Sequence, residues 1–112
     1  MESLRQQKVN RLLQKELSVI LQRDGARYVP GSMITVTVVR VSPDLSVARI
    51  YLSFFPVKDK KAALENVQKK AGEIRHALSA AIRNQARIIP ELVFIIDDSI
   101  DRAARIDELL KK

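Results

Sequence analysis

The spacing of apolar residues changes several times along this chain, and each change marks an element. From about residue 3 to 22, Val9, Leu13, Leu17, Ile20 and Leu21 recur at helical spacing among Lys8, Arg11, Gln14 and Lys15. That pattern predicts an amphipathic helix. Asp24-Gly25 is expected to end it, and ARYVPGS, with Pro30 beside Gly31, to form a loop. From Met33 to Phe55 the residues become β-branched, in MITVTVVRVSPDLSVARIYLSFF. Two antiparallel strands are expected there, parted by a turn at Ser42-Pro43-Asp44, where Pro43 lacks a ladder donor and Ser42 and Asp44 bond locally to backbone.

After Phe55-Pro56 the period is helical again, through Leu64, Val67, Ala71, Ile74, Leu78 and Ala81. Gly72 lies inside that stripe. A glycine in an exposed helix costs about 1 kcal/mol relative to alanine, which leaves two readings: one long helix with a tolerated glycine, or two helices meeting at a kink. Pro90 stops helix formation before it. LVFIID, residues 92–97, is expected to be a short interior strand closed by Asp97-Asp98-Ser99, and Ala103, Ile106, Leu109 and Leu110 give a short amphipathic ending. The order α-β-β-α-kink-α-β, with helices on one face of a three-stranded sheet, predicts a single two-layer α+β domain over residues 1–112.

With 112 residues the chain is long enough to bury roughly two-thirds of its unfolded surface. It has no cysteine, so disulfides, thiol nucleophiles and Cys-ligated zinc are excluded. No apolar run approaches a membrane span, and no secretory signal core opens the sequence; a cytoplasmic protein is the expectation. Charge adds more. The net charge is +7, but residues 1–90 carry +9 and residues 91–112 carry −2, so the basic charge belongs to the body of the protein. Such a field attracts polyanions, nucleic acid first among them.

Little in the sequence suggests an enzyme. His76 is the one histidine and projects to the polar side of its helix, without a cysteine or second histidine to pair with. Asp97 and Asp98 are neighbours on a strand and point to opposite faces, which suits turn or capping duty better than a metal. No phosphate-binding glycine loop, GxSxG or HExxH occurs. No catalytic residue, metal or cofactor is expected. The aromatic residues are too sparse for base stacking to dominate, so recognition would lean on phosphate contacts and shape. The candidates for those contacts are Lys8, Arg11 and Lys15 on the first helix and Arg40 and Arg49 on the ribbon. Arg75, Arg83 and Arg87 join them on the outer half of the later helix, with Lys69 and Lys70 extending that face across the kink. A merely solvated basic face is the alternative.

Five stretches taken together, VNRLLQKELSVIL, VTVVRVSPDLSVARIYLSF, IRHAL, RIIPELVFIIDDSI and the final RIDELL, resemble the bacterial ribosome-binding factor A family over nearly the whole chain. The resemblance implies a KH-type domain, type II-like. It implies a non-enzymatic, RNA-binding role in late maturation of small-subunit rRNA, with the immature small ribosomal subunit as partner and a monomeric free form. In place of the GxxG loop of other KH domains the family has an Ala-x-Gly kink. Gly72 matches its glycine, and Lys70 stands where the alanine would be. From the residues alone, a protein-interaction module with an acidic partner and a duplex-DNA-binding domain stay open on the same basic face.

Overall fold

A capping box starts the first helix: Ser3 Oγ accepts the Gln6 N–H at 3.1 Å, and Gln6 Oε1 accepts the Ser3 N–H at 2.8 Å. The computed structural model describes residues 2–85 and 89–97. Helix α1 (Leu4–Tyr28) runs well past the end expected at Asp24-Gly25. Gly25 is buried within it, and a Cβ there would stand 3.3 Å from Ile34 Cδ1. The glycine therefore lets helix and strand approach closely instead of terminating the helix. Burial of Tyr28 and Val29 holds the last turn and the exit against the core.

Strands β1 (Met33–Val41) and β2 (Val47–Phe55) pair antiparallel, and β3 (Glu91–Ile96) joins β2 in parallel, giving the order β1-β2-β3, so β3 is an edge strand and not the interior one its apolar run suggested. Ala48, Ile50, Leu52 and Phe54 alternate inward along β2. On β1 the inward residues are Ile34 and Val36, then Val39 and Val41, because a bulge at Thr37 inserts one unpaired residue and resets the pleat. The reset keeps each buried pair in register, with Ile34 against Phe54, Val36 against Leu52, Val39 against Ile50 and Val41 against Ala48. It also turns Arg40 outward, opposite Arg49. In the sequence its mark is the doubled Val38-Val39, which breaks the alternation before it.

The loop between these strands closes on itself as its Ser, Pro and Asp predict. Asp44 Oδ1 accepts the Ser42 and Ser46 hydroxyls, each at 2.7 Å, and the Ser46 N–H at 3.1 Å. Leu45 takes a left-handed conformation, φ 62°, with its side chain buried. The hydroxyl bonds from Ser42 and Ser46 hold the Asp44 carboxyl down at about 2.

Asp59 caps α2 (Lys60–Lys69) through the Ala62 N–H at 3.0 Å. The helix breaks at Lys70, and α3 (Ala71–Ile82) follows, so of the two readings the two-helix one holds. The break is at Lys70, however, not Gly72, which lies exposed in the first turn of α3 with nothing within 4 Å of a built Cβ. The buried stripe also differs slightly: Ile74, Leu78 and Ile82 face the core, while Ala81 is exposed, since steps of four fit this helix better than the alternating three and four. Gln85 donates its N–H to the Ile82 carbonyl at 2.8 Å, turning the chain. Arg87, Asp98, Ser99 and the amphipathic ending lie outside the described residues.

Helix polar groups seal the outer edges of the sheet. Along β1, Gln6 Nε2 donates to the Val41 carbonyl at 3.1 Å, Asn10 Oδ1 accepts the Val41 N–H at 2.9 Å and Gln14 Nε2 donates to the Thr37 carbonyl at 3.3 Å. Along β3, Gln68 Oε1 accepts the Phe94 N–H at 3.1 Å. Gln6 and Asn10 are only 8% and 6% exposed, so they replace water at these groups.

The two helical glycines should respond to substitution in opposite ways. In urea unfolding, Gly72→Ala should gain about 0.5–1 kcal/mol, since its space is open and its glycine entropy is unrecovered. Gly25→Val should lose about 1–3 kcal/mol by pushing atoms into Ile34. A further prediction concerns Asp44, whose folded pKa lies below its unfolded value near ~3.9. Its contribution is present above that value and lost as pH falls toward 2. The gap in stability between parent and Asp44→Asn should therefore be steady from pH 7 to about 4 and close by about 2; urea midpoints at pH 7, 4 and 2 measure it.

Candidate RNA-binding surface

Among the described residues, seven of the predicted cations fall in two groups. On α1, Lys8, Arg11 and Lys15 follow one another at steps of three and four, which places them on one exposed face. Leu13, Leu17 and Leu21 hold the other side of the helix in the core, while Gln6 and Asn10 anchor its N-terminal half to Val41. That anchoring brings Lys8 and Arg11 to the end of the domain where Arg40 and Arg49 stand opposite one another on the sheet's outer face.

Lys69 and Lys70 form the second group, at the α2–α3 break, and both are exposed. Arg27 fixes where this break lies relative to α1: its guanidinium meets Glu73 at 2.8 Å, tying the last turn of α1 to the first turn of α3. With a rise of 1.5 Å per residue, Lys8 and Arg27 are roughly 28 Å apart along α1. The first group thus runs from the N-terminal end of α1 to its middle, where Lys15 is roughly 18 Å along the axis from Arg27, and the two groups do not form one continuous strip. Arg83 is exposed just past the end of α3.

The ten predicted cations are not equally available. Among the described residues, Lys8, Arg11, Lys15, Arg49, Lys69, Lys70 and Arg83 have no carboxylate within 4 Å. Arg40 has one, Glu2, at a loose 3.9 Å. Arg75 is engaged by backbone: Nε donates to the Pro90 carbonyl at 3.1 Å, and a terminal nitrogen to the Ile89 carbonyl at 2.7 Å. It clamps α3 to the segment entering β3. Sequence phase alone placed Arg75 on the outer half of its helix, and nothing local announces that carbonyls fourteen and fifteen residues later would come to meet it.

Other candidate chemistry resolves into structure. Asp97 continues the ladder, its N–H on the Leu52 carbonyl at 2.8 Å, and its carboxylate accepts the hydroxyl of the bulge residue Thr37 at 2.5 Å. His76 is exposed beside a shallow depression of about 450 Å³ that it shares with Gly72, Arg75, Ser79 and Ile89. Among the described residues no three His, Asp or Glu side chains cluster to hold a metal, and no helix is long and apolar enough to cross a membrane. At the other end of the sheet, Met33 and Phe55 face each other across the ladder, 66% and 69% exposed, beside a groove of about 510 Å³ also lined by Leu21, Ala26, Ile34 and Pro56. The sequence reading did not single out this apolar end.

Arg75→Gln should lower stability in urea by about 1–2 kcal/mol, because two charge-assisted bonds to carbonyls are lost. Arg75→Lys should not fully restore it, since an ammonium cannot reproduce the fork. Arg83→Gln should change stability by less than about 0.5 kcal/mol. Equal effects at 75 and 83 would show that the clamp carries no energy.

Comparison with known proteins agrees with this architecture. The profile of the family described as Ribosome-binding factor A matches residues 5–110. Ribosome-binding factor A of Cytophaga hutchinsonii is 46% identical over 112 residues, covering 100% of this chain and 84% of that protein. The crystal structure of ribosome-binding factor A from Thermus thermophilus shares the fold at a TM-score of 0.68 and 24% identity, over 81% of this chain and 94% of that one. A homology model of the Thermus thermophilus factor, fitted into a cryo-EM map of its 30S complex, matches at a TM-score of 0.61 and 27% identity, over 78% of this chain and 93% of that one.

Proposed function

The chain belongs to the ribosome-binding factor A family, and on that premise we propose that it is a non-enzymatic assembly factor that binds rRNA of immature small ribosomal subunits. Acting in the cytoplasm as a monomer, it holds an rRNA conformation during late maturation and leaves when the subunit is complete. The observation that carries this reading is the set of exposed cations without carboxylate partners among the described residues, Lys8, Arg11 and Lys15 on α1 and Lys69 and Lys70 at the α2–α3 break. Charge left unpaired at fixed positions suits phosphate contacts, which position a protein on RNA and supply most of the affinity. The Thermus thermophilus relative, fitted in a 30S complex, supports the same partner.

The separation of the two groups fits a folded RNA better than a single short strand. Phosphates placed both along the N-terminal half of α1 and at the α2–α3 break must be supplied by an RNA that already has shape. Arg83, exposed just past the end of α3, is a further contact in this reading, while Arg75 contributes by holding α3 in place. One observation favours a second reading: the exposed Met33–Phe55 end offers apolar area suited to a protein contact. Nuclease treatment separates the two, since RNA-dependent association vanishes with the RNA.

For the proposed function, neutralising Lys8, Arg11 and Lys15 to Gln should weaken binding to small-subunit rRNA and flatten the log-log salt dependence by about 0.7 per lost contact. The Lys69→Gln, Lys70→Gln pair should do the same independently. In cell extracts the parent should sediment with immature small subunits, and the combined variant should not. A folded combined variant that still co-sediments like the parent would overturn the reading.

A further inference from the structure

Arg40 and Arg49 are directly opposite across the β1–β2 ladder, both exposed on the face that none of the described helices covers. Like charges in that relation repel and weaken a strand pair. The pair nonetheless stands at the end of the sheet where the hairpin loop begins, beside a depression of about 450 Å³ formed with Glu2, Gln6, Ser42 and Val47. Arg49 has no carboxylate within 4 Å among the described residues; Glu91, on the same face of β3, is the register partner of Val47, one pleat away.

Glu2 is the one acid aimed at the pair among the described residues, and its geometry is divided. One carboxylate oxygen accepts the Asn10 amide at 2.9 Å, and the other reaches only to 3.9 Å from Arg40 Nε. Asn10 is fixed in turn by the Val41 N–H. Glu2 is thus tethered to the helix near the arginines without forming the two-bond fork that a free carboxylate would make. Arg40 spends one terminal N–H on the Val39 carbonyl, at 3.1 Å, and keeps its remaining donors for another anion.

We propose that Arg40 and Arg49 form a seat for one RNA backbone phosphate on the outward face of the sheet, with Glu2 as a tethered competitor for Arg40. A phosphate between the two guanidiniums removes their repulsion and accepts from both forks. Glu2 holds one side of the seat when RNA is absent and is displaced when a phosphate enters, so it sets the affinity of the seat downward. This inference rests on the reading that the chain binds rRNA, but the seat can be tested without a ribosome.

The experiment has two arms on the full chain. In the first, inorganic phosphate is titrated while the arginine side-chain N–H signals are followed by NMR. Arg40 and Arg49 signals should shift together, and both shifts should grow in Glu2→Gln, which keeps an acceptor for Asn10 but removes the charge. In the second, a ten-nucleotide single-stranded RNA is the probe. Glu2→Gln should tighten binding about two- to fivefold at low salt, as expected for an exposed ion pair. That gain should vanish on an Arg40→Gln background. Arg49→Gln should weaken binding and flatten the salt slope by about 0.7. Shifts confined to α1 and the α2–α3 break, or a Glu2→Gln gain that survives Arg40→Gln, would overturn the seat while leaving rRNA binding standing. Failure of the parent to associate with small subunits, with the arginine shifts intact, would overturn the proposed function instead.

Discussion

Everything on the helical side of this protein depends on how α1 meets the free edge of β1. An edge strand presents unpaired N–H and C=O groups, and a helix laid beside it normally offers them nothing. Here α1 carries an amide stripe, Gln6, Asn10 and Gln14, next to its leucine stripe, so one helix both fills the core and completes the hydrogen bonding of the strand. The capping box shares one of these residues, since Gln6 gives its oxygen to Ser3 and its nitrogen to Val41. The contact fixes the rotation of α1 about its own axis. That rotation decides which residues face water, and so directs Lys8, Arg11 and Lys15 outward.

The other edge is handled with less. Gln68 reaches the Phe94 N–H from α2, and Arg75 grips the carbonyls of Ile89 and Pro90 from α3. The parallel strand must enter the sheet after a long excursion through both helices, and these side chains hold its start and middle. Helix, strand and entry segment are therefore coupled: a change in Arg75 is felt at β3 before any ligand is involved.

Much of this was legible in the sequence. The ribbon, its turn, the broken helix and the last strand each follow from period and from the few prolines and glycines, because those signals are local. The misreadings share a cause. Asp24-Gly25 looks like a helix stop unless one knows that Ile34 packs against Gly25; Gly72 looks like the hinge although the break is at Lys70; Arg75 looks solvated until the segment before β3 returns to it. Each depends on what distant residues bring, which spacing along one element does not contain. The amide stripe of α1 was visible as Gln6, Asn10 and Gln14 at four-residue steps, yet its purpose exists only once a strand edge lies beside it. For the candidate surface, charge and phase found the exposed cations but not their division into two groups, which follows from how α1 lies against α3.

One inserted residue has a consequence for how this family can change its length. Thr37 is unpaired, yet it sets the parity of every position after it in β1. Drawn into the ladder as a paired residue, it would send Arg40 into the core and Val39 and Val41 into water, whereas its deletion would leave the same residues inward in a regular ladder. One residue can therefore be lost from β1 at the bulge without compensation, while a second single loss would reverse the faces. Thr37 is thus a spare position in the length of this segment, held there by a hydroxyl shared between Tyr51 and Asp97.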